Sequence, residues 1–156
     1  GEIVVKGSNV MQGYLNKPEE TAKAVIDGWM HTGDGGYFDE DGYLYIADRI
    51  KDMIISGGEN IYSTEVESAL MTYPGVQMCA VIGLPDEKWG ETVHAVIVPQ
   101  PDVTLDPEEL SKHCRERIAG YKIPRSYDFR AALPLSAAGK ILKNELRAEY
   151  QAKRTA

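Results

Sequence analysis

The chain has 156 residues, 43% apolar and 26% charged, with a net charge of −7, enough for one sizeable core or two small ones. The negative balance argues against nucleic acid or an anionic membrane surface as the main partner, because both reward basic proteins. No apolar run approaches the roughly 20 residues of a transmembrane segment and no charged-then-apolar leader opens the chain, so the expected setting is the cytoplasm.

Cys79 sits inside an apolar run and Cys114 on the apolar stripe of a helix; both read as reduced core residues. His31, His94 and His113 have no metal-ligand spacing with them or with each other.

Taken in order, residues 2 to 6 read as a strand. A sequence that starts inside a strand, without a methionine, is expected to be a piece of a longer one. Gly7 and Gly13 bracket a loop. Residues 17 to 27 read as a short helix, with Pro18 near its first position and Ala22, Val25 and Ile26 on one face. Trp29 opens a strand-like stretch that the glycines at 33, 35 and 36 break. Residues 37 to 39 and 43 to 47 alternate around Glu40-Asp41-Gly42, a hairpin signal. These pieces are strands without a visible closed sheet of their own.

The run Asp48-Arg49-Ile50-Lys51-Asp52 is too charged for a core strand, because each buried unpaired ion costs several kcal/mol. It reads as a solvated joint. Past it, residues 53 to 56 and 59 to 62 suggest a hairpin across Gly57-Gly58. Ser63 or Thr64 then caps a helix with the stripe Val66, Ala69, Leu70 and Tyr73, ended by Pro74-Gly75. Residues 76 to 84 and 91 to 98 are expected strands. Asp106-Pro107-Glu108-Glu109 supplies a cap, a first-position proline and a capping-box acid for a helix through Ile118. Residues 126 to 130 form a third short strand and residues 142 to 153 a final helix. The fold class expected is α+β, with a second domain of about a hundred residues.

Several motifs have both a chemical and a plain reading. Thr32-Gly33-Asp34 places a carboxylate after a tight turn, where it can accept two hydrogen bonds from a vicinal diol such as a ribose, or simply form a turn. Asp39-Glu40-Asp41-Gly42 lacks the remaining ligands of a calcium loop, so the hairpin is preferred. Ser56-Gly57-Gly58-Glu59 lacks the lysine of a phosphate loop; it is a hairpin turn or a place where a thin ligand passes close to backbone. Lys140, after Gly139 in a polar loop, is a surface lysine or one that swings toward a phosphate. Tyr121-Lys122-Ile123-Pro124-Arg125 is a charged connector or a phosphate and purine contact. Trp89 either caps a core or lines a tunnel.

The order of these strings decides more than any one of them. Trp29-x-x-Thr32-Gly33-Asp34, then Gly42-Tyr43-Leu44 through Asp52-Met53-Ile54-Ile55-Ser56-Gly57-Gly58-Glu59-Asn60-Ile61, then Trp89-Gly90-Glu91, Tyr121-Lys122-x-Pro124 and Gly139-Lys140-Ile141-Leu142-Lys143 closely resemble the carboxy-terminal third of the adenylate-forming acyl-CoA synthetases. The 52 to 61 string is most similar to the fatty-acyl and aryl-acid CoA ligases.

The resemblance implies a small mobile domain, a short three-stranded sheet with helices plus a β-hairpin, preceded by strands from the end of a large amino-terminal domain. The boundary falls between residues 1–47 and 48–156, with a hinge at 48–52. It implies conversion of a carboxylic acid, ATP and coenzyme A to acyl-CoA, AMP and diphosphate, with a fatty acid as the expected acid. Lys140 would be the catalytic lysine of adenylation. Asp34 would hold the ribose hydroxyls of ATP or AMP with Arg49 assisting, and Lys51 would be the hinge. Gly57 and Gly58 would border the pantetheine arm, with Trp89 beside it and Arg125 on the coenzyme's phosphate. Mg2+ would travel with ATP and be held mainly outside this chain.

The family's phosphate loop and most of its acyl pocket lie upstream of position 1, so the expected partners include that missing domain and the chain alone is expected to be inactive. Open strand edges in residues 1 to 47 are expected to pair with a second copy or to pack irregularly. The other reading is a non-catalytic nucleotide- or CoA-binding module built on the same domain.

Overall fold

In the computed structural model, which describes residues 1–155, strand β3 (Trp29–Phe38) organises the first of two units, Gly1–Lys51. β1 (Glu2–Val5) runs antiparallel along one edge of β3, with Glu2 opposite Gly35 and Val5 opposite Met30. Met30 also pairs Val25 of β2 (Val25–Ile26), and Gly35 also pairs Asp48 of β4 (Leu44–Arg49). β2 and β4 therefore share the other edge, at opposite ends of β3. The leading strands do form a sheet of their own, four strands in all.

The glycines expected to break β3 bend it instead. The β3–β4 register slips between Gly35 and Gly36, a bulge, and a Cβ at Gly36 would stand 2.5 Å from the Tyr45 carbonyl oxygen; glycine lets the two backbones close where a side chain would hold them apart. The helix expected over 17 to 27 is shorter, α1 (Pro18–Ala24). Val25 and Ile26 leave it to pair with Met30 and Trp29 around Asp27 (φ 52°) and Gly28 (φ 79°), a two-residue hairpin turn with both φ positive. β-branched residues suit that strand better than a helix end. The 39–43 turn is a hairpin as expected, its Asp39 carboxylate accepting the N–H groups of Asp41 and Tyr43 at 3.1 and 2.8 Å.

The first unit ends after Lys51, not Ala47, because Asp48 and Arg49 are still paired in β4. The charged run is also less solvated than its composition suggests. Asp48 is only 6% exposed, with its carboxylate accepting the Arg49 N–H at 2.7 Å. Arg49, Ile50 and Lys51 are exposed, and residues Ile50–Asp52 form a 3₁₀ turn.

The second unit is built on β8 (Gly90–Pro99). β7 (Val76–Asp86) returns along one side of it as a long hairpin, while β9 (Ser126–Phe129) lies parallel on the other side. The hairpin of β5 (Ile54–Ser56) and β6 (Glu59–Ile61) joins that same side through one pair, Ser56 opposite Gly90.

α2 (Ser63–Met71) and α3 (Pro107–Arg115) bury Val66, Leu70, Leu110 and Cys114 against Val81, Val93 and Ile97. α4 (Lys143–Thr155) packs Leu146 on the other face against Ala80, Ile82, Val96 and Val98. With helices on both faces, residues 79–83 of β7 are buried without alternation, as a strand covered twice must be. This is the expected α+β fold, three strands with helices and an attached hairpin.

Two helix ends differ from expectation. Tyr62, not Ser63 or Thr64, precedes α2, and Ser63 is fully buried in its first turn. α3 stops at Arg115 rather than Ile118, because the N–H groups of Arg117 and Ile118 both turn back to the Cys114 carbonyl, each at 2.9 Å. The Asp106 cap is present, accepting the Glu108 N–H at 2.9 Å.

Candidate functional site

In the first unit, direct cross-strand pairing brings Asp34 of β3 opposite Arg49 of β4. Arg49 Nε donates to Asp34 Oδ1 at 3.2 Å. The Arg49 side chain is 56% exposed, so the pair contributes little stability and mainly orients the carboxylate. The backbone below is fixed by a short relay: the Asp34 N–H donates to Thr32 Oγ1 at 3.1 Å, and the Thr32 hydroxyl donates to the Ile3 carbonyl at 2.7 Å. Glu2 accepts from the Gly33 N–H at 3.1 Å and pairs with His31 Nδ1 at 2.7 Å, and this His31 contact holds its carboxyl below the usual value. Glu2, Thr32, Gly33, Arg49, Ile50 and Lys51 line an open depression of about 430 Å³. Lys51 is the last residue of the unit.

In the second unit, Gly57, Trp89 and Arg125 meet although they are 32 and 36 residues apart in sequence. Gly57 (φ 62°) and Gly58 (φ 87°) make the β5–β6 turn, which L side chains resist. The Gly57 N–H donates to the Trp89 carbonyl at 2.8 Å, and a Cβ on Gly57 would lie 2.9 Å from the indole ring. The Arg125 guanidinium stands 4.5 Å from the Trp89 ring centroid, with Lys88 Nζ at 4.8 Å. Gly58 has open space where a Cβ would point.

Lys122, expected to serve the same connector as Arg125, turns inward and donates to both oxygens of Glu65 at 2.7 Å. Burial pulls its pKa down, but the Glu65 carboxylate outweighs that and the net direction is up.

Lys140 is exposed, on a loop that is itself closed. Leu135 pairs with Ile141 across its base; the Ser136 N–H donates to the Lys140 carbonyl at 2.8 Å, and the Lys140 N–H to Ser136 Oγ at 3.1 Å. Gly139 takes a φ of 75° at the tip. The amine is therefore carried outward on a stapled turn and not packed into the core.

Among the described residues no group of three or more His, Cys, Asp or Glu is placed to hold a metal ion, and no helix is long and apolar enough to cross a membrane.

Residues 65–140 match the AMP-binding enzyme C-terminal domain. The chain is 55% identical over 150 residues to a feruloyl-CoA synthase of Amycolatopsis, covering 96% of this chain and 30% of that protein. It is 54% identical over 146 residues to a long-chain-fatty-acid–CoA ligase of Bacillus subtilis, covering 94% of this chain and 26% of that one. Among solved structures, the o-succinylbenzoate CoA synthetase of Bacillus subtilis with its acyl-adenylate intermediate matches with a TM-score of 0.88 and 46% identity, over 94% of this chain and 30% of that one. The chain belongs to the adenylate-forming acyl-CoA synthetases, as their carboxy-terminal part. It spans less than a third of the length of these relatives.

Three polar anchors had not been expected from the sequence. Lys143, three residues beyond Lys140, is inserted against α2, 2.7 Å from both Glu67 Oε1 and Ser63 Oγ. One turn along α4, Arg147 pairs with Asp52, which opens the second unit. Glu91 reaches across to the Ile55 N–H at 2.8 Å. Lys143 and Arg147 share the α4 stripe with Leu146 and Tyr150; charges on an otherwise apolar stripe were the available signal. Nothing in the sequence pointed from Glu91 to Ile55.

Proposed function

We propose that this chain is the carboxy-terminal part of an ATP-dependent acid–thiol ligase acting on a fatty acid in the cytoplasm, a setting that the two buried free cysteines suit. The carboxylate attacks the α-phosphorus of ATP, giving an acyl-adenylate as diphosphate leaves. The thiol of coenzyme A then attacks the acyl carbon and loses its proton while AMP departs. A carboxylate is a poor electrophile; the mixed anhydride makes it a good one.

In this reading Lys140 neutralises charge on the carboxylate and α-phosphate oxygens during the first step. Asp34 accepts the ribose hydroxyls with Arg49 holding its carboxylate. Lys51 is the pivot that exchanges Lys140 for the glycine turn between steps. The pantetheine arm runs past Gly57 and Gly58 beside Trp89, and Arg125 meets a phosphate of the coenzyme. Mg2+ belongs with the phosphates of ATP, outside this chain.

The observation that carries the reading is the Gly57–Trp89–Arg125 surface. It sets a backbone with no side chain, an aromatic face and a cation side by side, a combination suited to a thin arm that ends in phosphate. The exposed Lys140 on its closed turn supports the other half.

The test is acid-dependent release of diphosphate and formation of a CoA thioester by the intact protein, over a panel of fatty and aryl acids. Fatty acids are expected to give the highest kcat/KM. The feruloyl-CoA synthase at comparable identity makes an aryl acid the competing outcome. Absence of diphosphate release with every acid would point instead to a binding module without catalysis.

A further inference from the structure

β5 meets β8 in a single residue pair, Ser56 opposite Gly90, which by itself would let the β5–β6 hairpin pivot. Two hydrogen bonds flank that pair. On one side the Gly57 N–H donates to the Trp89 carbonyl at 2.8 Å; on the other the Ile55 N–H donates to Glu91 Oε2, also at 2.8 Å. The second is supplied by a side chain, and that side chain is seated in turn. The Glu91 carboxyl lies over Gly83 of β7, where a Cβ would come within 2.8 Å of its carbon and of Oε1. Gly83 is buried and is not among the positive-φ glycines. Glycine is needed there for room, not for backbone conformation.

We propose that Glu91 is a positioning residue for thiol transfer: with Gly83 making space, its carboxylate fixes the β5–β6 hairpin against β8 and so sets the gap between the Gly57–Gly58 turn and the Trp89 indole. The proposal rests on the reading of that surface as the path of a phosphopantetheine arm. The gap is sensitive because Gly57 already lies at contact distance from the ring, with 2.9 Å left for a Cβ. A carboxylate accepting a backbone N–H is among the stronger single anchors a hairpin can have. Glu91 reaches neither Lys140 nor the Asp34–Arg49 pair through any of these contacts, so its loss falls on the second half-reaction.

In the intact ligase, diphosphate release with acid and ATP is measured beside thioester formation from supplied acyl-adenylate and coenzyme A. Glu91→Ala is expected to raise KM for coenzyme A roughly fivefold or more, the equivalent of one hydrogen bond, while diphosphate release stays within roughly twofold of wild type. Glu91→Gln keeps an oxygen for the Ile55 N–H and is expected to restore KM. Gly83→Ala, which displaces the carboxyl, is expected to reproduce the Glu91→Ala defect.

Equal losses in both half-reactions, or an unchanged KM in Glu91→Ala and Gly83→Ala, overturn the proposal. Should Glu91→Ala not fold, Gly83→Ala and Glu91→Asp, whose carboxylate is one methylene short of Ile55, decide on the same terms. A wild-type enzyme that forms no thioester from supplied acyl-adenylate overturns the reading of the surface and the proposal with it. That outcome is distinct from an active wild type whose variants keep its KM.

Discussion

Lys140 and Lys143 lie three residues apart, and the structure assigns them opposite consequences. Lys143 is 13% exposed and Glu67 18% exposed. The ammonium bridges Glu67 and Ser63, while Glu67 also accepts the Val81 N–H at 2.8 Å. Lys143→Met leaves the carboxylate half-sequestered beside a fully buried hydroxyl. Breaking one side of a buried ion pair costs about 3–5 kcal/mol, and residual access of water to Glu67 reduces that to about 2–3 kcal/mol. With a urea slope of about 1.2 kcal/mol/M for a unit this size, the midpoint should fall by about 2 M. Lys140→Met removes an exposed side chain and should stay within about 0.5 kcal/mol of wild type. Urea unfolding followed by Trp89 fluorescence, in a Trp29→Phe background, reads the second unit alone. A Lys143→Met midpoint within about 0.3 M of wild type, or a Lys140→Met shift as large as that of Lys143→Met, would refute the argument.

Gly57→Ala and Gly58→Ala should differ by the same assay. Both positions have positive φ, a strain of about 1–2 kcal/mol for alanine, but only Gly57 also meets the Trp89 ring; equal costs would contradict the close approach. Stability should also fall in alkali. Burial pushes the Cys79 thiol up to about 12 from 9.0, and burial with the Asp128 hydrogen bond pushes Tyr150 up to about 12 from 10.0. A raised native pKa stabilises fully below the unfolded value and the benefit is lost as pH climbs from about 9 to 12; urea midpoints that stay flat from pH 8 to 11 would contradict it. Among the described residues, β1 and β4 each pair on one side only within the first unit's sheet. Sedimentation should give twice the chain mass, and a strict monomer with an ordered first unit would exclude edge pairing.

Much of the second unit was legible because its signals are local: the Asp106-Pro107 helix start, the Val66 to Leu70 stripe, the apolar runs of β7 and β8. The first unit was harder because its glycines carry long-range meaning. Gly36 exists for the approach of Tyr45, a partner fixed only by the sheet, so a strand that bends looked like one that breaks. Val25 and Ile26 continued a helical face in the sequence, yet the Asp27-Gly28 turn outweighed it. Composition misjudged Asp48 because one hydrogen-bonded carboxylate can be buried where a run of unpaired charges cannot. Among the site residues, the strings gave Gly57, Trp89 and Arg125 their positions in the chain, and only the packing of β8 against the hairpin gives them a common surface. Lys122 and Glu91 show the complementary limit: one turned from a candidate ligand into an internal tie, the other from a strand residue into an anchor, through partners 57 and 36 residues away.

The claim on which the rest depends is a division of labour between the Lys140 turn and the Gly57–Trp89 surface. The most direct measurement compares the two half-reactions of the proposed ligation in the intact protein carrying Lys140→Ala. Diphosphate release should fall by at least about a hundredfold, the loss of one transition-state charge contact of about 3 kcal/mol, while thioester formation from supplied acyl-adenylate stays within about threefold of wild type. A parallel fall of both half-reactions, or adenylation that survives without the amine, would contradict it.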